Sequence, residues 1–238
     1  MACSQRRSAS TKSRFLAGWA HTVSQQVLRV DREPVGPLPP VTYQRLRKLL
    51  QTKLRTADAL AVSDYGFGAA SPELVRWVKS KHKTLTVTLD ARYHMVLYAK
   101  AGVTSATPNE AELEALHHTS IGRDSDELER CGRATLATMK LRALVVTRGR
   151  DGMTLFESGG RVSHIPIHGS SQAVDVTGAG DTVLAAYTLA LASGASFLEA
   201  AHLANIAGGL VVMKRGTATV SRKELLEAIR REASGGSS

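Results

Sequence analysis

Cysteine, aromatic residues and long apolar runs are all scarce in this chain, and each scarcity removes a class of answer. The two cysteines, Cys3 and Cys131, provide neither a disulfide framework nor the paired spacing of a zinc site. That usage suits a reducing compartment, so a cytoplasmic protein is expected. No apolar run approaches the length of a membrane span, and the N-terminus lacks the apolar core of a secretory signal. The stretch Arg6 to Arg14 is rich in Arg and Ser and free of acids, which reads as a disordered basic tail over residues 1–14. A second tail is expected over 234–238. Aromatics make up only 5% of the residues, and no aromatic stacking platform for nucleic acid is recognisable. His117 and His118 are adjacent and cannot share a helix face, and no H-E-x-x-H or G-x-S-x-G pattern occurs.

The net charge of +10 is local rather than general. Residues 1–55 carry 11 Lys/Arg against the two acids Asp31 and Glu33, leaving 20 Lys/Arg and 19 Asp/Glu in the remainder. Nucleic acid is therefore not the expected partner, although anionic small substrates would be attracted. What the chain does have is bulk: 238 residues, 43% of them hydrophobic, enough for one sizeable core.

Along the chain, strand patterns alternate with helix patterns. Val23 to Asp31 reads as a strand, followed by a linker at Gly36-Pro37-Leu38-Pro39-Pro40. Pro40 opens a helix with Tyr43, Leu46, Leu49, Leu50 and Leu54 at helical spacing. Strands are then expected at Ala57 to Ser63, Leu85 to Leu89 ending at Asp90, Val103 to Thr107, and Ala143 to Thr147, the last turning toward Thr154-Leu155-Phe156. Helices are expected around Leu74, Val75 and Val78, from Asn109, and over Leu128 to Leu141. This alternation predicts a doubly wound, mainly parallel α/β sheet with helices on both faces, binding ligands beyond the carboxyl ends of its strands.

The densest chemistry lies in Asp175-Val176-Thr177-Gly178-Ala179-Gly180-Asp181, just before an apolar helix pattern. The backbone N–H groups of Gly178, Ala179 and Gly180 can converge on an anion at the positive end of that helix. Asp181, on its first turn, would stand beside the bound group as a base, which points to phosphoryl transfer to a hydroxyl. A Walker A loop is excluded because Asp181-Thr182 stands where Lys-Ser/Thr is required, and a dinucleotide fingerprint because Val183 replaces the third small residue. Elsewhere, Asn109 and Glu112 have the spacing of a capping box. Asn205 is an amide within an Ala/Gly-rich helix, where a packing hydrogen bond is its simplest role, and Gly216 suits a helix C′ position.

The motif D-V-T-G-A-G-D resembles the signature of the PfkB/ribokinase family of carbohydrate kinases, D-[TS]-x-G-A-G-D, with Val176 a mild departure. Ser63-Asp64-Tyr65-Gly66 and the segment Leu203 to Ser221 resemble in particular the D-glycero-beta-D-manno-heptose-7-phosphate kinase branch, and the likeness runs from about Lys12 to Ile229. The resemblance implies a ribokinase-like fold over residues 15–233 and transfer of the ATP γ-phosphoryl group to a sugar or sugar phosphate. It implies Asp181 as base and Gly178 to Gly180 as anion hole. Thr147, Gly149 and Asn205 would lie by the nucleotide, with Arg148 a secondary candidate for a phosphate. Asn109 and Glu112 would organise Mg²⁺ largely through water, and Asp175 and Thr177 would form a loop for a monovalent cation such as K⁺. In that branch the strand resembling Gln25 to Asp31 follows an N-terminal half with the first Gly-rich unit and the sugar-binding Asp. The chain is thus expected to be an N-terminally truncated form of the fold, to act as a homodimer or with a completing partner chain, or to be a catalytically incomplete nucleotide binder.

Overall fold

The computed structural model describes residues 10–17, 25–34, 36, 38–169 and 173–235. Most of the expected basic tail, residues 1–9, lies outside these, as do Cys3, Val23, Pro37 of the linker, and residues 236–238. Thr11 to Arg14, also placed in that tail, instead belong to strand β1 (Thr11–Ala17).

The expected strand around Leu28 exists as β2 (Gln25–Arg32), but it is not part of the parallel sheet. It pairs antiparallel with β1, Phe15 opposite Leu28 and Ser13 opposite Val30, forming a separate two-stranded ribbon. Alternation in β2 thus reports extended backbone correctly and its pairing partner not at all. Phe15, Val27 and Leu28 are each more than half exposed on this ribbon.

Helix α1 (Pro40–Lys53) begins with proline at its first turn, where a missing N–H costs nothing. Its apolar stripe is only partly used: Leu50 and the following Leu54 pack on the core, while Leu49 remains 56% exposed. The main sheet then builds in chain order. Its strands are β3 (Ala59–Asp64), β4 (Thr86–Ala91), β5 (Ser105–Ala106), β6 (Ala143–Thr147), β7 (Met153–Glu157) and β8 (Val162–Ile165). Strands β3 to β6 run parallel, and β7 and β8 add two antiparallel strands. The strand expected over Val103 to Thr107 contracts to the two residues of β5.

Register divides the side chains cleanly between two cores. Val62, Leu89, Ala106, Leu144 and Phe156 are successive cross-strand partners and all enter one core. Helices α2 (Pro72–Lys81), α3 (Glu110–His117) and α4 (Ser125–Met139) cover that face through Val75, Val78, Leu113, Leu128 and Leu136. On the opposite face, Ala143, Val145 and Leu155 meet α5 (Ala179–Ala192) and α6 (Phe197–Val211). Polar atoms on that face are paired: the Ser105 hydroxyl lies 2.9 Å from the Tyr187 hydroxyl, and Thr88 pairs with Thr188. These contacts seat α5 across β3 and β4. A final helix, α7 (Arg222–Gly235), packs on α6. Gly216, expected at the C′ position of α6, lies well beyond its last residue, Val211, in the turn that follows. Among the described residues no helix is long and apolar enough to cross a membrane.

Candidate active site

Two structural facts converge at the carboxyl ends of β3 and β4. Ser63 and Asp90 are register partners there, on the face that α5 covers, so the residues leaving these strands meet the start of that helix. Gly178 caps α5 with φ of 79°, a left-handed conformation that glycine adopts at little cost. No side chain caps this helix, so its first turn keeps donor capacity and the positive end of its dipole for a ligand. Of the three amides expected to form the cradle, that of Ala179 donates to the Val176 carbonyl at 3.2 Å.

Asp181 lies exposed on the first turn. Its two oxygens are held separately: Ser63 Oγ donates to Oδ1 at 3.1 Å and Tyr65 Oη to Oδ2 at 3.0 Å. Burial, then the bond to Asp181, pushes the Tyr65 hydroxyl up to about 12. Asp90 stands close by, its Oδ2 3.5 Å from where a Cβ on Gly180 would sit. Burial, followed by the negative charges of Glu112 and Asp181, raises the Asp90 carboxyl to about 7.

Asn109 and Glu112 form the capping box that their spacing predicts. Asn109 Oδ1 accepts from the Glu112 N–H at 2.8 Å and Glu112 Oε2 from the Asn109 N–H at 3.0 Å. Burial raises the Glu112 carboxyl, and the bonds to Asn109 together with nearby Arg92 oppose the rise. A cavity of about 1080 Å³ joins these groups, with Ser63, Tyr65, Asp90, Asn109, Glu112 and Gly180 in its wall. The capping box thus stands in the cavity wall.

The other expected residues lie apart from that cavity wall. Thr147 ends β6, with its N–H donating to the Pro108 carbonyl at 2.9 Å, and Gly149 starts a 3-10 turn with φ of 54°. Between them, Arg148 is committed to Glu110 at 2.5 Å and to the Gly122 carbonyl at 3.0 Å, which braces the loop against α3. Asn205 is 7% exposed and donates through Nδ2 to the Pro166 carbonyl at 2.7 Å, a packing bond between α6 and the chain after β8. Asp175 accepts from the N–H groups of Thr177 at 2.9 Å and Gly216 at 3.0 Å. Those bonds, the Thr177 amide first, hold its carboxyl below the usual range.

Three residues at this site carry no role in the sequence reading. The sequence pattern places Asp90 at a strand end, and the carboxyl end of a parallel strand is itself a signal. Ser63 and Tyr65 stand 118 and 116 residues from Asp181, a proximity that only the fold reveals.

The parallel sheet, the helices on both faces and a helix start without a side-chain cap beside a strand-end cavity define a ribokinase-like α/β protein. Solved structures share this fold. A single-residue mutant of phosphofructokinase-2 from Escherichia coli superposes with a TM-score of 0.70 at 18% identity, covering 86% of this chain and 67% of its own. Ribokinase from Giardia lamblia gives 0.71 at 18% identity, covering 93% and 72%. The pattern of the pfkB family carbohydrate kinases matches residues 37–224, and the chain belongs to that family. It is 40% identical over 226 residues to the bifunctional protein HldE of Geobacter sulfurreducens, across 94% of this chain and 44% of that protein. The HldE of Paramagnetospirillum magneticum is 39% identical over 233 residues, across 95% and 45%. The chain thus spans less than half the length of these relatives.

Proposed function

We propose that this protein is an ATP-dependent sugar kinase in which Asp181 takes the proton of the acceptor hydroxyl. The observation that carries this is the Asp181 carboxylate itself. It lies on the first turn of an α5 without a side-chain cap, is held at both oxygens, and stands beside a cavity large enough for a sugar phosphate. Gly178, Ala179 and Gly180 would hold charge that develops on the transferred phosphoryl group, which passes directly from ATP to the hydroxyl. Thr147, Gly149 and Asn205 are assigned to the nucleotide side, Asn205 through its packing bond to the Pro166 carbonyl as much as through direct contact. Ribokinase of Arabidopsis thaliana, which shares the fold with a TM-score of 0.67, has been solved with ribose and ATP.

Mg²⁺ fits the cavity as a hydrated ion. Among the described residues no group of three or more acids, histidines or cysteines is poised to hold a metal directly. Burial nevertheless raises both Asp90 and Glu112, and a dication would relieve that cost. Mg²⁺ commonly keeps several waters and binds through one or two carboxylates and the substrate phosphates, so Glu112 and Asn109 would orient its water shell. Bound there, it would offset charge on the phosphates. Asp175 and Thr177 are proposed to belong to a K⁺ loop; phosphofructokinase-2 of Escherichia coli has been solved with potassium.

Heptose 7-phosphate is the leading acceptor, on the likeness of Ser63-Asp64-Tyr65-Gly66 to the heptose-kinase branch. We place the protein in the cytoplasm, as a homodimer or completed by a partner chain. ADP release measured across a panel of sugars and sugar phosphates tests the reading. Turnover with heptose 7-phosphate above the rest supports it. ATP binding without turnover on any sugar would favour the catalytically incomplete nucleotide binder.

A further inference from the structure

Resting on that kinase reading, we infer that Tyr65, backed by Ser63, is a positioning residue for Asp181 and ties the β1–β2 ribbon to it. The carboxylate receives one hydroxyl on each oxygen, Ser63 on Oδ1 and Tyr65 on Oδ2, which fixes its plane as well as its place. Each carboxylate oxygen has two acceptor positions, so a substrate hydroxyl can still approach one that is already bonded. The two hydroxyls therefore need not leave before proton transfer.

The turn that carries Tyr65 is itself anchored. Its neighbour Asp64 accepts from the Gly66 N–H at 2.8 Å and from the Tyr98 hydroxyl at 2.6 Å. Tyr98 is fully buried in the core, so this anchor is rigid. On its other side the Tyr65 ring carries the Lys12 ammonium, 4.8 Å from the ring centre, and Lys12 belongs to β1. One ring thus contacts the ribbon through its face and the base through its hydroxyl. Displacement of the ribbon shifts the ring, and with it one of the two bonds that orient Asp181.

The test uses the full chain, MgATP and the sugar with the highest turnover in the panel. Tyr65→Phe keeps the ring and removes the hydroxyl; kcat should fall about 10- to 100-fold, the value of a hydrogen bond to a charged group, with KM for ATP unchanged. Ser63→Ala should lower kcat in the same sense and serves as a second variant if the first folds poorly. Lys12→Met should lower kcat in the wild-type background and have no further effect in Tyr65→Leu, since the ring is then gone. Absence of turnover by the wild-type chain would sink the kinase reading and the positioning role together. Turnover abolished by Asp181→Asn but unaltered by Tyr65→Phe and Ser63→Ala would overturn the positioning role alone. Equal effects of Lys12→Met with and without the Tyr65 ring would overturn the link to the ribbon.

Discussion

The two edges of the main sheet are built to different standards. At the β8 edge, Leu155, Phe156 and Ile165 are almost fully buried and each face has its helices. A Cβ on Gly152 would stand 2.1 Å from the Ile165 carbonyl oxygen, so backbone meets backbone there without space to give. Each edge strand has one partner among the described residues, β7 for β8 and β4 for β3, but at the β3 edge Ala61 and Ser63 are exposed. Leu189 of α5, the helix that packs on β3 and β4, is 68% exposed, and Leu49 of α1 is 56% exposed. Unpaired strand edges and exposed apolar side chains both cost a protein in self-association. The candidate chemistry nonetheless gathers at this second edge, because Ser63 and Tyr65 leave β3 there to meet Asp181. Tight packing and the candidate chemistry therefore lie at different ends of one sheet, and substitutions should separate them.

The largest effect on stability is expected at the closed end. Gly152→Ala must place a side chain against the Ile165 carbonyl at a φ of 77°, combining overpacking with a left-handed conformation. It should cost about 3 kcal/mol or more in urea unfolding, and a neutral result would show that this end is looser than its packing indicates.

An intermediate effect is expected at Asp90, which lies at the site but is buried. In the folded chain its carboxyl stays protonated up to about pH 7, against an ordinary value of 3.8. The folded state therefore binds the extra proton, and stability falls as pH rises from about 4 to about 7. Asp90→Asn has no such loss. In metal-free buffer its unfolding free energy should exceed the wild-type value at pH 8, by on the order of 2 kcal/mol or more, with the gain shrinking toward pH 4. A constant difference across that window would count against burial as the cause. The smallest effect belongs to the open end: Leu189→Lys should change monomer stability by no more than about 0.5 kcal/mol. A large loss would mean that something covers this face in solution.

The same division governs what could be read from the sequence. Strand β6, the capping box at Asn109 and the turn at Gly178 were all legible, because each is written in adjacent residues. Pairing was not. The extended character of β2 is visible in its alternation, yet nothing in that pattern says that its partner is β1 rather than a strand of the main sheet. Strand β5 shrank because its role is set by neighbours: the flanking amides of Thr104 and Thr107 still bond to Val87 and Leu89. The site divided similarly. Asp181 announced itself through its glycine-rich approach, whereas Ser63, Tyr65 and Asp90 became site residues only when parallel register set two strand ends beside α5. For Asn205 the sequence allowed both a packing bond and a place by the nucleotide, and the bond to Pro166 realises the first.

The most direct test of the central claim is the rate of ADP formation by Asp181→Asn beside the wild-type chain, at saturating MgATP and sugar. The substitution keeps the size of the side chain and its place on α5 while removing the base. A fall in kcat of about 10²- to 10⁴-fold or more, with ATP affinity nearly intact, is the predicted result. Turnover at the wild-type rate would contradict it.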